Sequence, residues 1–452
     1  MSDQSPHYDL VAIAQRVAAQ ANPGEQVEAF VVRGISTQVK AYHGEVESLT
    51  SAESFGVGIR VIADRRQGFA HAGTFDDDVV AETLGHARDN AAFGEPDEWF
   101  GLAEPDGVAP IDQELWREGL AAFTTDRKIE IALALERSVM GRDPRVTGVR
   151  SAVYADSAGE GAVASSAGVV AYGRGTSCYV SVAALAEDGK ETKIGGGVDV
   201  GREPDELDIE LAAAEAVDKA VRLFGAKPAA SQRITIVLEP RLAASIVALA
   251  GGTLSGERVL KGRSPFGDRM GEAIASPLLT LVDDPTNPWS LAAESHDGEG
   301  LACRPNPLIV DGVLQQFLHN AYTARRAGTH STGSAVRGYR TTPGVGCQAL
   351  AVAPGSGTHD ELVAGVELGF LVDSMSGFHS GVNAVSGDFS VGAEGIMIRD
   401  GHLAEPVREI TLASTLQRLL LGIEAVGADL EWLPSGMGAV TLVIGDVALS
   451  GT

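Results

Sequence analysis

Histidine and carboxylate side chains are the groups best able to bind a metal or transfer a proton, but their spacing in this sequence favours neither role. Ten histidines are present, and none forms an H-x-x-H, H-x-H or H-E-x-x-H pattern. Solvated or structurally hydrogen-bonded histidines are therefore the favoured interpretation. This applies to His319, His330, His359 and His379, which lie in the same half of the chain. His296-Asp297 lies in a glycine-rich acidic turn with no nucleophile motif beside it, so turn chemistry explains it better.

Sequence motifs for nucleophilic catalysis and phosphate binding are missing. No G-x-S-x-G occurs, and the glycine-rich stretches at 195–197 and 355–357 lack the spacing of a dinucleotide-binding loop or a P-loop. The three cysteines, Cys178, Cys303 and Cys347, are far apart and form no C-x-x-C. They predict neither a disulfide framework nor a zinc knuckle, and they agree with a reducing compartment.

Two local groups of arginines are candidates for binding. They are Arg325 with Arg326, and Arg337 with Arg340. A guanidinium forms paired hydrogen bonds with a carboxylate, so these residues could hold a peptide carboxylate or an acidic edge of a partner protein. Exposed ion pairs are the simpler interpretation of the same residues.

The acidic balance of the chain limits its partners. Its 61 Asp and Glu residues exceed 35 Lys and Arg, giving a net charge of -26. This field repels phosphates, so we expect no nucleic-acid partner. The 452 residues suffice for roughly two to four domains. The first 20 residues have no basic start followed by an apolar run, and no stretch approaches about 18 uncharged apolar residues. We therefore expect a cytoplasmic protein without membrane contact.

Residues 1–230 predict an α+β domain of antiparallel sheets and flanking helices. The apolar spacing predicts helices over 8–21, 75–92, 126–140 and 204–224. It also predicts short strands over 27–32, 37–42, 46–51, 56–63, 149–154, 161–165, 169–173, 177–187 and 191–198. The order of helix, strands and helix occurs twice and suggests two similar units, about 1–120 and 121–230. The identity between them is too weak to define a repeat.

Residues 231–452 predict a β-rich domain with few short helices. Hairpin turns are expected at Asp311-Gly312 and Asp400-Gly401, as at Asp188-Gly189 in the first half, with positive φ at both turn residues. Short helices are expected over 321–327, 359–368 and 412–422, the second starting with a capping box. A strand pair around Gly445-Asp446 is expected over 440–449.

A strand and a helix open this second half. Ile234, Ile236 and Leu238 alternate with Thr235 and Val237, as in a strand entering a core. A helix is expected to follow from Pro240, which suits a first helical turn. Apolar residues then recur at three- and four-residue spacing up to the glycine pair 251–252, where the helix weakens or something packs close to it.

This segment and the residues after it resemble a known family. Together with Gly256, Lys261, Gly262, Ser264 and Phe266, it is similar to the start of the C-terminal domain of the TldD/PmbA (TldE) peptidase family, the modulator-of-DNA-gyrase type. Further matching stretches lie at 281–284, 297–300, 309–312 and 386–390. The resemblance covers nearly the whole chain and is densest over about 233–450.

The resemblance also implies where a zinc site would lie. In the TldD branch this helix carries H-E-x-x-x-H, whose histidines bind zinc and whose glutamate acts on the attacking water. The corresponding positions here are Val247, Ala248, Leu249, Ala250, Gly251 and Gly252. Catalytic zinc needs about three donor ligands and a carboxylate near its water, and none of these six side chains supplies one. The branch's C-terminal cysteine has no counterpart either, since residues 433–438 offer Met437. We expect no catalytic or metal-binding residue in this chain, which resembles the metal-free PmbA/TldE branch.

The function implied by the resemblance is that of a non-catalytic subunit. A TldD-like partner would hold the zinc, and the heterodimer would degrade or process unfolded and short peptides. An open strand edge in the β-rich half would capture an extended peptide. Two alternatives stay open: a stand-alone peptide-binding or chaperone-like module without proteolysis, and an enzyme with an unrecognised metal-free site.

Overall fold

The computed structural model describes residues 8–451, so the first seven residues and Thr452 of the predicted domains lie outside the described residues. The chain is 23% helical and 39% strand, which confirms the α+β class. The helices are α1 (Leu10–Ala18), α2 (Asp77–Phe93), α3 (Glu118–Ala121), α4 (Thr125–Val139), α5 (Ile209–Val221), α6 (Pro240–Thr253), α7 (Gly256–Leu260), α8 (Ala321–Ala327), α9 (His359–Ala364), α10 (Phe378–Gly381) and α11 (Leu416–Leu421), with a 3₁₀ turn at Pro204–Glu206.

Twenty strands are present in this described part. They are β1 (Glu25–Tyr42), β2 (Glu45–Ala63), β3 (Arg66–Ala72), β4 (Val146–Ser165), β5 (Val170–Glu187), β6 (Thr192–Gly201), β7 (Gln232–Leu238), β8 (Leu281–Asp283), β9 (Asn306–Val310), β10 (Val313–Leu314), β11 (Ala335–Val336), β12 (Gly344–Val345), β13 (Leu350–Val352), β14 (Leu368–Ser376), β15 (Asp388–Arg399), β16 (His402–Thr415), β17 (Ile423–Val426), β18 (Glu431–Trp432), β19 (Gly438–Ala439) and β20 (Leu442–Ser450). No helix of residues 8–451 is long and apolar enough to cross a membrane.

The N-terminal half is built on one antiparallel sheet in the order β3-β2-β1-β4-β5-β6. Alternate residues of β1 point to one face, where Val27, Ala29 and Val31 pack against α1 and α2. Val39 and Ala41 continue the same face and pack against α4 and α5. The four helices therefore cover one face of a sheet that runs through both predicted units.

The strands of this sheet are longer than the sequence predicts. The expected breaks between 32 and 37, between 51 and 56 and between 154 and 161 are wrong, because β1, β2 and β4 run through them. In the middle of the sheet Gly34 lies opposite Gly159, which in turn lies opposite Gly175. A Cβ atom at Gly34 would lie 3.3 Å from the Ala158 carbonyl oxygen. These glycines permit close packing inside strands instead of ending them.

The C-terminal half contains two six-stranded sheets and a small two-stranded one. The first sheet has the order β16-β15-β14-β7-β20-β17, with β7 and β14 parallel. The second has the order β10-β9-β8-β13-β19-β18, and β11 pairs with β12. Helix α6 contacts β7 and β14 of the first sheet and β13 and β19 of the second. It therefore packs between the two sheets, inside the largest hydrophobic core.

The backbone at the predicted turns and at the C-terminal helix and strands agrees only in part with the sequence pattern. Both residues have positive φ at Asp311-Gly312 and at Asp400-Gly401, as expected, whereas only Gly189 does in the turn after β5. The predicted strand pair over 440–449 is wrong: β20 is a single strand with an irregularity at Asp446, whose φ is 57°. The predicted helix 412–422 begins later, because residues 412–415 complete β16.

Candidate functional site

Helix α6 carries the six positions at which the family resemblance would place zinc chemistry. It starts at Pro240, as predicted, after Glu239 in an extended conformation, and it ends at Thr253. Residues 251 and 252 still belong to the helix. The buried face of α6 packs against Leu238 of the preceding strand and Phe266 of the following segment, both fully buried.

The six positions that would carry zinc chemistry do not form a polar site. Val247 is only 3% exposed and belongs to the main hydrophobic core. Ala248 faces outward, while Ala250 and Gly251 are buried. A Cβ atom at Gly251 would collide with the Leu350 side chain and come within 2.9 Å of Cys347 Sγ. The first ligand position therefore lies among apolar atoms, and these residues do not fit a zinc ion.

Polar groups do lie beyond the end of α6, around Asp283 on β8. Asp283 accepts hydrogen bonds from the backbone N–H groups of Gln348 and Ala349, each at 2.8 Å. Its Oδ2 is buried without a hydrogen-bond partner in the described structure. Burial raises the pKa of Asp283 to about 7 and also raises the pKa of the Cys347 thiol. Burial thus opposes ionisation of both groups, and no set of three or more His, Cys, Asp or Glu in residues 8–451 is arranged to hold a metal.

The four candidate arginines have different surroundings. The Arg325 guanidinium donates to the carbonyl groups of Trp99, Gly101 and Leu102, so it fixes the long connection before α3. Arg326 is exposed and lines a cavity of about 320 Å³ together with Lys261. Arg340 is exposed and donates to the Tyr339 hydroxyl at 2.8 Å. Arg326 and Arg340 thus remain available for the predicted peptide or partner contacts.

Arg337 instead belongs to a buried charge network between the two halves. Its side chain is 0% exposed and donates to Glu28 on β1. Glu28 also accepts two hydrogen bonds from Arg60 on β2, and Arg60 reaches Glu299 at 3.0 Å. Burial opposes ionisation of Glu28, but Arg60 and Arg337 outweigh it and hold the pKa of Glu28 below its usual range. The network is a structural link.

A further cavity lies where the two halves meet. It has a volume of about 800 Å³ and is lined by β6, α5, the first turn of α6, the 288–291 loop and β18. Sequence reasoning missed both this cavity and the buried network. The residues of each are distant in the chain, and Glu28 follows an ordinary alternation in β1 that does not indicate a buried ion pair.

Comparison with known proteins agrees with this architecture over nearly the whole chain. Models of the PmbA/TldA metallopeptidase match residues 27–91 (domain 1), 118–224 (central domain) and 231–451 (C-terminal domain). The chain belongs to the PmbA/TldD family. The resemblance inferred from its motifs is confirmed.

Relatives named for both branches of the PmbA/TldD family are similar to this chain. Metalloprotease PmbA of Escherichia coli O157:H7 is 25% identical over 424 residues, which cover 94% of this chain and 91% of PmbA. The TldD homolog of Haemophilus influenzae is 27% identical over 428 residues, covering 88% and 87%. The structure of TldE from Thermococcus kodakarensis superposes with a TM-score of 0.89 at 24% identity, covering 98% and 99%, which shows the same fold.

Proposed function

We propose that this chain is the zinc-free subunit of a heterodimeric metallopeptidase, in which a TldD-like partner holds the zinc and the pair degrades or processes unfolded and short peptides. The observation that carries the proposal is the kind of side chain present on α6 and how it is packed. The family's zinc positions are occupied by Val247, Ala248 and Gly252, and the first of them is packed in the core. A catalytic zinc requires ligands and a proton acceptor that these side chains lack.

In this proposal the chain contributes binding surface and shape, while proton transfer takes place in the partner. An extended peptide can pair with an exposed strand edge through its backbone, largely independently of its sequence. Two such edges are β18 in the C-terminal half and β6 in the N-terminal half, each hydrogen-bonded to one neighbouring strand. This supports a role in holding unfolded peptides.

The test compares this chain alone with the chain mixed with a TldD-like protein. We expect one zinc per heterodimer, and cleavage of an unfolded peptide only in the mixture, lost on chelation. The matched control is the partner alone at the same concentration. Chelator-sensitive cleavage by this chain alone would contradict the proposal. Peptide binding without any cleavage in the mixture would favour a stand-alone binding module instead.

A further inference from the structure

The 800 Å³ cavity between the two halves is bordered by two strand edges. On one side β6 is the outermost strand of the N-terminal sheet, and on the other β18 is the outermost strand of the second C-terminal sheet. A cavity of this size is typical of sites that enclose a small ligand or several peptide residues. The two edges give it backbone hydrogen-bonding groups as well as side chains.

The outer edge of β6 has a definite register. The turn between β5 and β6 pairs Asp188 with Glu191 through a hydrogen bond, and the ladder continues without a shift. Alternation along an antiparallel ladder then directs the N–H and C=O groups of Gly196, Val198 and Val200 outward. Arg241 of α6 donates to the Val198 carbonyl at 2.8 Å and to the Gly196 carbonyl at 3.5 Å, so two of these three carbonyls are already engaged. The Val200 carbonyl has no partner within residues 8–451, so an extended chain can pair with this end of the strand.

The charges around the cavity are unbalanced toward the negative. Seven acidic and five basic side chains line it. The basic groups are engaged, as shown by Lys219 between Glu215 and Glu239. Glu431 on β18 has no hydrogen bond or ion pair in the described part of the chain. Desolvation and the charges of Glu215 and Asp429 raise the pKa of Glu431, and they outweigh the opposite effect of Arg241 and Lys219, neither of which forms an ion pair with Glu431 in this part of the chain.

Aromatic surface lines the same cavity as this carboxylate. Trp432 follows Glu431 on β18, and Trp289, which is 76% exposed, lines the same cavity. Indole rings attract ammonium and guanidinium groups and cover the methylene groups of long basic side chains. An unpaired carboxylate with two tryptophans therefore favours a cationic group over a neutral or acidic one.

We propose that this cavity binds an extended peptide carrying a lysine or arginine side chain, with its backbone at the Val200 end of the β6 edge and its cationic group at Glu431. That the ligand is a peptide rests on the proposed function. The site adds to it a preference for basic residues and a location within this single chain.

The experiment measures binding to the full chain alone, with tryptophan fluorescence and calorimetry. The probes are acetyl-Ala-Val-Lys-Val-Ala-amide and the same peptide with norleucine, which keeps the length and removes the charge. We expect the lysine peptide to bind about tenfold more tightly, and Glu431→Gln to remove that difference. Glu367→Gln changes an exposed carboxylate outside the cavity and should retain it. Circular dichroism verifies that both variants are folded.

Two further probes test the strand pairing. N-methylation of alternate peptide amides removes backbone donors and should weaken the binding of the lysine peptide. N-acetyl-lysine-methylamide should also bind weakly, because it is too short to pair with the strand. The inference would be overturned if the lysine and norleucine peptides bound equally well, or if the short amide bound as tightly as the full-length lysine peptide. Since no partner subunit is used, absence of cleavage in the heterodimer would refute the proposed function while leaving this result standing.

Discussion

Glu28 joins charges from both halves of the molecule in a buried site. Its carboxylate accepts hydrogen bonds from Arg60 within the sheet and from Arg337 of the other half, and all three side chains are almost inaccessible to solvent. Removing one member of a buried ion network leaves an uncompensated charge in a medium of low dielectric constant. This makes Glu28 more important for stability than its unremarkable place in the sequence indicates.

We predict that Glu28→Gln lowers the free energy of unfolding by about 3–5 kcal/mol, because Arg60 and Arg337 then share only Glu299. Urea unfolding monitored by circular dichroism measures the loss. The control is Glu405→Gln, whose carboxylate pairs with Arg399 while both side chains are about half exposed. That change should cost about 1 kcal/mol or less. Similar losses in the two variants would contradict a special role for the network.

The buried carboxyl group of Asp283 makes the stability of the protein depend on pH. Its pKa is about 7 in the folded protein, because burial outweighs its two backbone hydrogen bonds, against an ordinary value of 3.8. The folded state therefore binds this proton more tightly than the unfolded state does, and stability is lost as the pH rises from about 4 through 7. We predict that urea unfolding at pH 5 and pH 8 shows a smaller difference for Asp283→Asn than for the unchanged chain. An identical pH difference in both would refute this assignment.

At the scale of elements, the sequence predicts helices better than strand ends. Helix 321–327 and the capping box of Thr358 with Glu361 follow from local contacts, and the structure confirms both. The break expected after residue 32 is absent. Gly34 lies opposite Gly159 on β4, and this long-range pairing cannot be seen in the local sequence. The same limit of local sequence applies to the candidate site. The lack of zinc ligands on α6 is evident from the residue types, whereas the 800 Å³ cavity between the halves depends on how distant elements pack.

The packing of helix α6 leads to a prediction that residue types alone would not give. We expect Val247→His to lower the free energy of unfolding by about 1–3 kcal/mol, because an imidazole would be buried among apolar side chains without a hydrogen-bond partner. Ala248→Glu, at the next and exposed position, should change stability by about 0.5 kcal/mol or less. Urea unfolding and metal analysis test both variants. A stable, zinc-loaded Val247→His chain would show that this position is open to a ligand and that the argument from α6 is wrong.

For the whole molecule, both polar and apolar contacts link the two halves. Arg202 is 5% exposed and donates to carbonyl groups of Leu115 and Thr176 in the N-terminal half and of Pro288 and Ser290 in the C-terminal half. A small apolar cluster also spans the two halves and consists of Ala103, Val169, Leu301 and Ala321. The main hydrophobic cores of the halves remain distinct clusters. The division near residue 230 stays a prediction, and so does the further division near residue 120.

The N-terminal sheet indicates that the two smaller units, about 1–120 and 121–230, do not fold independently. β1 and β4 are paired from Glu28↔Ser165 to Ala41↔Ala152, so a fragment ending at residue 120 would leave one edge of β1 without its partner and Val39 without α4. We predict that fragment 1–230 shows a cooperative urea transition by circular dichroism, while fragment 1–120 shows none and is digested rapidly by protease. The full chain serves as the reference. A cooperative transition in fragment 1–120 would mean that its own helices stabilise β1, and that the similar order of elements in the two units reflects separate folding domains.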